Sequence, residues 1–339
     1  MPARNHPHEH SVYKLVKSLI VYNACGIKRD NTLLYPRYMD KLVNQRYKND
    51  VKIVFSSCLP RAHTIPYLRE RFPGIDFLEV KEPLPVNVTF NHAILKSVDK
   101  YGKFDNYTFF TSDSLLQNET GMQDLFDSIQ GNEKCGMLSA QIDVDSCYAY
   151  GLKLGGGRFA IDDERARAEM FKYNSDYTVP VGRACAAHVN VYSSKIFNFY
   201  GRCCPDIFAG YCTESIFTFL NSALKLNWLI SNKTLIHHDA GMDGPSSSTD
   251  PEGHKVNNPR SGSYDHAFRQ KSLLHIFQNE TAKKIGLGYE ECQNISMHDP
   301  SQFKNNECIN EHLKQYIRDN LFLSRGLFDY DNIDSVHTP

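Results

Sequence analysis

The sequence predicts a single α/β domain with a mainly parallel central sheet that is flanked by helices. Three observations support this prediction. Short apolar segments alternate with segments of helical periodicity roughly every 30 residues in the first half of the chain. Small polar residues follow the apolar segments, at the places where parallel strands would end. No internal repeat and no linker-like composition interrupts the chain, which favours one continuous domain.

The first half of the chain predicts a regular alternation of strands and helices. The predicted strands cover residues 17–24, 51–56, 75–80 and 107–110, and the predicted helices cover residues 35–46, 65–72 and 88–101. Pro73 and Gly74 end the second helix. Strands that alternate with helices in this way form parallel sheets through right-handed crossovers, and helices then cover both faces.

The second half of the chain has a less regular pattern. Strands are predicted over 136–140, 147–154, 184–193 and 228–236, with a charged surface helix over 162–173 and a further helix that begins at Lys195. An amphipathic helix follows Thr213 and Glu214. Its apolar side consists of Ile216, Phe217, Leu220, Ala223 and Leu224. The last of the strands runs into His237 and His238.

The pattern divides the chain into four parts. Residues 1–16 form an N-terminal extension, and residues 17–240 form the catalytic domain. Residues 241–265 are rich in Gly, Ser, Pro, Asn and Asp, and this composition predicts a mobile loop or lid. Residues 266–339 form a helical extension packed on the catalytic domain, with helices over 266–277 and 311–320.

Composition excludes some classes of protein. Hydrophobic residues make up 41% of the chain and charged residues 23%, as in folded globular proteins. The formal net charge is -1, and Lys and Arg are scattered, so we expect no nucleic-acid partner. The apolar run over 19–24 is far too short for a transmembrane segment.

The sequence carries a weaker signal about compartment. The first ten residues lack the apolar core of a signal peptide, which predicts a location in the cytoplasm or at the periphery of a membrane. Asn-x-Ser/Thr sequons, for example at Asn118, keep open the alternative that the protein is a lumenal enzyme. The ten cysteines show no regular spacing and no CxxC pair, which predicts free thiols.

The residues that follow the predicted strands are typical of a nucleotide pocket. Asn23 and Ala24 follow the first strand, Ser56 and Ser57 end the second, and residues 111–114 (Thr-Ser-Asp-Ser) follow the fourth. In open parallel sheets, ligands bind beyond the carboxyl ends of the strands. Neither a dinucleotide fingerprint nor a P-loop motif occurs, so the pattern predicts a different nucleotide site.

The order of these segments resembles the GT-A glycosyltransferases, in particular their large inverting family. The resemblance covers roughly residues 17–240. Ser56 and Ser57 stand at the nucleobase position, Asn91 and His92 at the Asn segment, and residues 109–113 at the Asp-x-Asp strand. Residues 184–201 resemble the acceptor-side strand and helix, residues 213–214 replace the acidic pair, and residues 237–239 resemble the distal His segment.

The resemblance implies a Rossmann-like GT-A fold, a nucleotide-sugar donor and a Mn²⁺ or Mg²⁺ ion. Asp113 and one of His237 and His238 would bind this metal. The donor would contact Asn23, Ala24, Ser56, Ser57, Asn91, Ser112 and Asp113. Thr111 replaces the first Asp of the family motif, so a single acid of that motif remains.

The resemblance also implies a hydroxyl acceptor, carried by a glycan, a glycoprotein or a glycolipid. The acceptor side would contain His188, Asn190 and Thr213. An acceptor hydroxyl needs a positioned carboxylate to take its proton, and Glu214 is the candidate base of an inverting transfer. Asp143 and Asp145 are reserve candidates.

Two other functions remain open at this point. A nucleotidyltransferase that makes nucleotide sugars would share the sheet, but it needs a Gly-rich basic first loop, and residues 24–29 are a poor match. A protein that binds nucleotides or carbohydrates without catalysis would explain the changed Asp-x-Asp motif.

Overall fold

A computed structural model gives the fold of the chain. It describes residues 16–23, 35–57, 65–78, 80, 86–112, 114–142, 176–178, 188–200, 213–238, 278, 281–283, 285–288 and 335–336. Several predicted elements lie wholly outside these residues. They are the strand over 147–154, the helices over 162–173, 266–277 and 311–320, and the loop over 241–265. The division of the chain into domains therefore stays a prediction.

Strands and helices alternate from the start of the described chain. The first half contains β1 (Lys17–Asn23), α1 (Tyr35–Val43), β2 (Asp50–Ser56), α2 (Ile65–Arg71), β3 (Asp76–Leu78), α3 (Val86–Tyr101) and β4 (Asn106–Thr111). The second half contains β5 (Ser114–Leu116), α4 (Gly121–Gln130), β6 (Cys135–Ile142), β7 (Tyr177–Thr178), β8 (Val189–Ser193), α5 (Ser194–Tyr200), α6 (Thr213–Ala223), β9 (Asn227–His238) and β10 (Ser335–Val336).

The elements predicted in the first half are all present, with ends that differ by a few residues. The structure adds β5 and α4, which the sequence pattern did not predict, and it extends the strand over 228–236 at both ends into β9. The last five residues of the strand predicted over 184–193 form β8, whereas residues 184–187 lie outside the described residues; α5 follows β8 directly.

All described strands belong to one mixed sheet, in the order β10-β3-β2-β1-β4-β8-β6-β9-β5, with β7 paired to β9. The strands β3, β2, β1 and β4 are parallel neighbours. Because β4 and β6 both pair antiparallel with β8, they run in the same direction, and β9 is parallel to β6. Six of the ten described strands therefore share one direction, and the antiparallel β8 lies among them.

Helices cover both faces of the sheet. On one face, Tyr22, Phe55 and Phe110 lie side by side and belong to a buried cluster with residues of α1, α2 and α4. On the other face, Phe90 of α3 packs edge-on against Phe109 with ring centroids 4.7 Å apart. The chain thus crosses from one face to the other between β3 and β4, and the strand order reverses between β1 and β4.

The segment that contains β5 is fixed by hydrogen bonds to β9 and to Gln45, which follows α1 in the chain. The side-chain oxygen of Asn118 accepts from the backbone N–H of Leu235 at 2.9 Å. Gln45 donates to the backbone oxygen of Asn118 at 2.8 Å and accepts from the backbone N–H of Met122 at 3.2 Å. These bonds hold β5 beside the last residues of β9, and they also satisfy the N-terminus of α4.

Helix α6 packs closely on β6 because Gly136 has no side chain. A Cβ atom at Gly136 would overlap the side-chain oxygen of Asn221 and would lie 2.9 Å from Cδ1 of Ile196. This close approach fixes the position of α6, whose first residues carry the predicted base.

Among the residues that the structure describes, no helix is long and apolar enough to cross a membrane.

Candidate functional site

The carboxyl ends of β1, β2 and β4 place three polar residues side by side. Asn23 at the end of β1 pairs with Ser56 of β2 and with Thr111 of β4. Residues that are directly opposite on neighbouring strands share a face of the sheet. These residues therefore form one row at the reversal point between β1 and β4, where doubly wound sheets bind their ligands.

The row continues across β8 and β6. The backbone N–H of Thr111 donates to the backbone oxygen of His188 at 3.0 Å, so His188 lies beside Thr111 at this edge. Ser139 of β6 pairs with Asn190 of β8, and the pairing of these two strands ends there. Gln141 lies two residues after Ser139 in β6, so it shares a face of the sheet with Ser139. We call this set the polar row, and it consists of Ser56, Asn23, Thr111, His188 and Gln141.

Hydrogen bonds fix the turn that follows β4. The hydroxyl of Tyr22 donates to the backbone oxygen of Ser112 at 3.0 Å. The hydroxyl groups of Thr111 and Ser114 are 2.8 Å apart and share a hydrogen bond. Asp113, the predicted metal ligand, lies outside the described residues, but the residues on both sides of it are held in place.

The pairing of β5 with β9 brings the two predicted histidines to this turn. Ser114, which follows Asp113 in the chain, pairs with His238, and Leu115 pairs with His237. The side chain of His237 is half-buried, whereas that of His238 is not described. The segment at Asp113 and the histidine segment, more than 100 residues apart in sequence, thus meet at one edge of the sheet.

Helix α3 contributes two buried polar residues, Asn91 and His92, in its first two turns. His92 is 1% exposed, and its burial, together with the nearby charge of Lys96, lowers its pKa from 6.5 to about 4. His92 is therefore neutral at physiological pH. A role for Asn91 in donor binding stays a prediction.

Asn190, predicted on the acceptor side, belongs to a buried hydrogen-bonded chain. The indole N–H of Trp228 donates to the hydroxyl of Ser139 at 2.8 Å, and this hydroxyl donates to the side-chain oxygen of Asn190 at 2.7 Å. These hydrogen bonds link β9, β6 and β8, further from the carboxyl end of β6 than Gln141. The side-chain oxygen of Asn190 is thus used within the sheet.

Helix α6 begins at Thr213, and Glu214 is its second residue. The side chains of both residues lie outside the described set, as does Ala24 after β1. The acceptor-side position of Thr213 and the role of Glu214 as base therefore stay predictions.

The residue types predicted for the metal site, an aspartate and a histidine, are ones that a divalent cation can use as ligands. Within the described part of the chain, no three or more His, Cys, Asp or Glu side chains cluster as a metal site. Mg²⁺ and Mn²⁺ prefer oxygen ligands, with some imidazole, and commonly keep positions open for phosphate oxygens. The structure describes His237 beside this turn but does not describe Asp113, so the metal site stays a prediction.

Gln141 was missed by the sequence prediction. The strand predicted over 136–140 ends one residue before Gln141 and therefore does not include it. The alternation of polar Ser139 and Gln141 with apolar Ala140 and Ile142 could have extended the strand.

A small cavity of about 10 Å³ lies between β2, β3 and α3. Val54, Phe77, Ala93 and Ser97 are part of its lining. This volume is at the lower limit for one water molecule, so the cavity does not hold a nucleotide.

Comparisons with known proteins support the fold and leave the function open. No protein-family model and no curated protein sequence matches this chain. Its structure is similar to that of GalNAc-T7, solved with UDP, GalNAc and Mn²⁺, with a TM-score of 0.51 and 11% identity over 90% of this chain and 55% of that chain. The chain thus spans about half the length of that protein.

A second similar structure is the mannosyltransferase PcManGT from Pyrobaculum calidifontis, solved with GDP-Man and Mn²⁺. The TM-score is 0.45, with 14% identity over 86% of this chain and 68% of that chain. The likeness to GalNAc-T7, together with the sheet order, confirms the predicted fold class, a GT-A-like fold with a Rossmann-like, mainly parallel sheet flanked by helices.

Proposed function

We propose that this protein is a glycosyltransferase that moves a sugar from a nucleotide-diphosphate sugar to a hydroxyl acceptor with the help of Mn²⁺ or Mg²⁺. The observation that carries the proposal is the polar row at the reversal point of a GT-A-like sheet. The similarity in fold to GalNAc-T7, whose structure contains UDP, GalNAc and Mn²⁺, supports the choice of ligand.

The nucleoside lies over β1 and β2 in this proposal. Asn23, Ala24, Ser56 and Ser57 offer hydroxyl, amide and backbone groups, which can bind a base and a ribose. The diphosphate lies beside Ser112 and Asp113, beyond the end of β4. Asn91, near the start of α3, is the further donor contact that the proposal includes.

The metal is held by Asp113 together with His237 or His238. The pairing of Ser114 with His238 supports this choice, because it joins the two segments at one edge. When bound, Mn²⁺ or Mg²⁺ acts as a Lewis acid that stabilises the charge of the diphosphate leaving group. The bonds of Thr111 to Ser114 and of Tyr22 to Ser112 fix the turn that presents Asp113.

Glu214 is the base that accepts the proton of the acceptor hydroxyl. Its place in the first turn of α6, a helix fixed against β6 by Gly136, supports this role. His188, Asn190 and Thr213 lie on the acceptor side. Direct attack by the deprotonated hydroxyl breaks the bond between sugar and phosphate in a single displacement, and this inverts the anomeric carbon.

A protein that binds nucleotide sugars without transferring them is the second candidate. It is favoured by Thr111, which stands at the first acidic position of the family motif and whose hydroxyl is bonded to Ser114. Hydrolysis or transfer of donor in the presence of Mn²⁺ supports the enzyme, whereas binding without either reaction supports this second candidate.

Calorimetry with UDP, GDP, ADP and TDP tests the proposal directly. We expect one of these nucleotides to bind in the presence of Mn²⁺ and to bind much more weakly in EDTA. Asp113→Ala should remove the effect of Mn²⁺ on binding. Asp99 is an exposed acid near the C-terminus of α3, and Asp99→Ala serves as the matched control. This variant should leave the effect of Mn²⁺ on nucleotide binding unchanged. Absence of binding for all four nucleotides with either metal would contradict the proposal.

A further inference from the structure

Gln141 has a buried oxygen atom that the fold does not use. The residue is 4% exposed, and its side-chain oxygen is enclosed without a hydrogen-bond partner among the described residues. A buried acceptor in this state costs free energy, so such atoms commonly have a partner that is a ligand or a water molecule. Gln141 therefore calls for an explanation beyond packing.

Two other buried glutamines, Gln45 and Gln123, have their side-chain oxygen atoms satisfied by the fold itself. Gln45 donates to the backbone oxygen of Asn118 and accepts from the backbone N–H of Met122. Gln123 accepts from the backbone N–H of Lys48 at 2.7 Å and donates to Asp127 at 2.6 Å. Both glutamines thus form hydrogen bonds with α4 or with residues next to it, whereas the side-chain oxygen of Gln141 bonds to no described residue.

The position of Gln141 sets it apart from two other buried side chains that also have an unpaired oxygen. Thr108 lies in the middle of β4, and Asn221 lies against Gly136 near the opposite end of β6. Gln141 lies near the carboxyl end of β6, opposite Leu235 of β9 and two residues after Ser139, which pairs with Asn190 of β8. It is the member of the polar row farthest from β2.

The proposed donor gives this position a chemical role. Its nucleoside lies at β2 and β1 and its diphosphate at β4, so the sugar lies over the next strands, β8 and β6. The strand β6 is two strands from β4, a separation of about 10 Å. A carboxamide oxygen only accepts hydrogen bonds, and sugar hydroxyl groups supply donors.

We propose that Gln141 accepts a hydrogen bond from a hydroxyl group of the donor sugar and thereby contributes to the choice of sugar. The inference rests on the proposed function, because it needs a nucleotide sugar bound along the polar row. A site built to bond a substrate hydroxyl rejects analogues that lack it. Gln141 is thus a specificity-determining contact and takes no part in proton transfer.

The test compares a nucleotide sugar with its nucleoside diphosphate. Calorimetry with UDP-glucose against UDP, and GDP-mannose against GDP, gives the ratio of the two affinities in Mn²⁺. This ratio isolates the sugar, since both ligands share the nucleoside and the diphosphate. Gln141→Met keeps the size of the side chain but removes the acceptor, so we expect the nucleotide sugar to bind about 5- to 50-fold more weakly, with little change for the nucleoside diphosphate.

Two further variants separate binding from folding. Gln141→Glu keeps an acceptor oxygen at the same position and should retain most of the wild-type ratio, even if Gln141→Met folds poorly. Gln45→Met removes a buried glutamine that supports α4 and should lower stability without changing the ratio.

The outcomes distinguish the two proposals. Equal ratios for wild type, Gln141→Met and Gln141→Glu overturn the role of Gln141 and leave the proposed function intact. The same holds if both Gln141 variants lose affinity for nucleotide sugar and nucleoside diphosphate alike, because this pattern reports a structural effect. If the wild-type protein binds neither kind of ligand, both proposals are wrong.

Discussion

Asp113, the proposed metal ligand, is flanked in the chain by residues that make defined hydrogen bonds. The hydroxyl group of Thr111, two residues before Asp113, shares a hydrogen bond with the hydroxyl group of Ser114. The hydroxyl group of Tyr22 donates a hydrogen bond to the backbone oxygen of Ser112. In the proposed metal site, this turn would supply a single carboxylate, and the histidine segment would supply the second protein ligand.

At the same scale, replacement of the proposed base should separate turnover from binding. Glu214→Gln keeps the size and hydrogen-bonding reach of the side chain but cannot accept a proton. We expect turnover to fall by about 10²- to 10⁴-fold with donor affinity unchanged, measured by steady-state kinetics and calorimetry. Glu119→Gln, at an exposed residue before α4, is the control.

Two results would move the chemistry elsewhere. Near-normal turnover of Glu214→Gln would direct attention to Asp143 or Asp145 as the base. A product with retained anomeric configuration, seen by NMR, would exclude the single displacement.

His92 makes stability depend on pH in the acid range. Its folded-state pKa of about 4 lies below its ordinary value of 6.5, so the unfolded chain takes up the proton more readily. The contribution of neutral His92 is complete above pH 6.5 and is lost as the pH falls toward 4, a change of up to about 3 kcal/mol.

Urea unfolding at pH 7.5, 5.5 and 4.5 measures this dependence. The variant His92→Gln has no titratable ring, so its stability should fall less steeply between pH 6.5 and 4 than that of the wild type. Parallel curves for the two proteins would show that His92 is not the group responsible.

At the scale of elements, Gly136 controls how closely α6 approaches β6. In Gly136→Ala, the new methyl group overlaps Asn221 and lies 2.9 Å from Ile196 and 3.0 Å from Leu226. Overpacking of this kind costs about 1–3 kcal/mol, and we expect a loss of this size in urea unfolding.

A double-mutant cycle identifies the source of that loss. Asn221→Ala removes the nearest atom, so the double variant should be more stable than the sum of the two single losses predicts. Strict additivity would mean that the methyl group is accommodated without contact to Asn221.

Helix α4 depends on a glutamine from another part of the chain for its N-terminal hydrogen bond. Its N-cap residue, Thr120, makes no side-chain bond to the backbone and donates to Asp124 instead. Gln45 accepts from Met122 and is buried. We expect Gln45→Met to destabilise the protein by about 1–3 kcal/mol in urea unfolding, because it leaves buried polar groups unpaired.

Thr120→Ala provides the contrast. An ordinary N-cap replacement costs about 1 kcal/mol, but here we expect less than about 0.5 kcal/mol. A larger loss for Thr120→Ala than for Gln45→Met would contradict the assignment of the cap to Gln45.

Local pattern was sufficient to predict the elements of the first half. Alternation of apolar strands with amphipathic helices specifies β1 to β4, and small polar residues after the strands correctly mark Asn23, Ser56 and Thr111 as neighbours at one edge. The sequence did not predict β5, because three residues carry too little periodicity. Gln141 was missed because the predicted strand ended too early.

At the scale of the whole molecule, the position of β8 could not be predicted from local pattern. Its apolar sequence is compatible with any buried strand. Its antiparallel place between β4 and β6 depends on pairings with residues about 50 and 80 positions earlier in the chain. The extension of the polar row to His188 and Gln141 follows from that placement. It therefore could not be predicted from local pattern either.

The same placement predicts how fragments of the chain behave. A fragment of residues 1–142 contains β4 and β6 but lacks β8 and β9, so one edge of β4 and both edges of β6 lack their partners. We expect this fragment to aggregate in size-exclusion chromatography, and a fragment of residues 1–238, which contains β8 and β9, to aggregate less. A monomeric 1–142 fragment with cooperative unfolding would contradict this prediction.

The late position of β8 in the sequence also has a consequence for synthesis on the ribosome. The strands β4 and β6 leave the exit tunnel before the strand that lies between them, so the centre of the sheet stays open while about 50 further residues are translated. During that interval, buried side chains such as Phe110 and Leu138 lack part of their cover. Nascent chains of this protein should therefore be most prone to aggregation, and most dependent on chaperones that bind exposed apolar segments, until residue 193 has emerged.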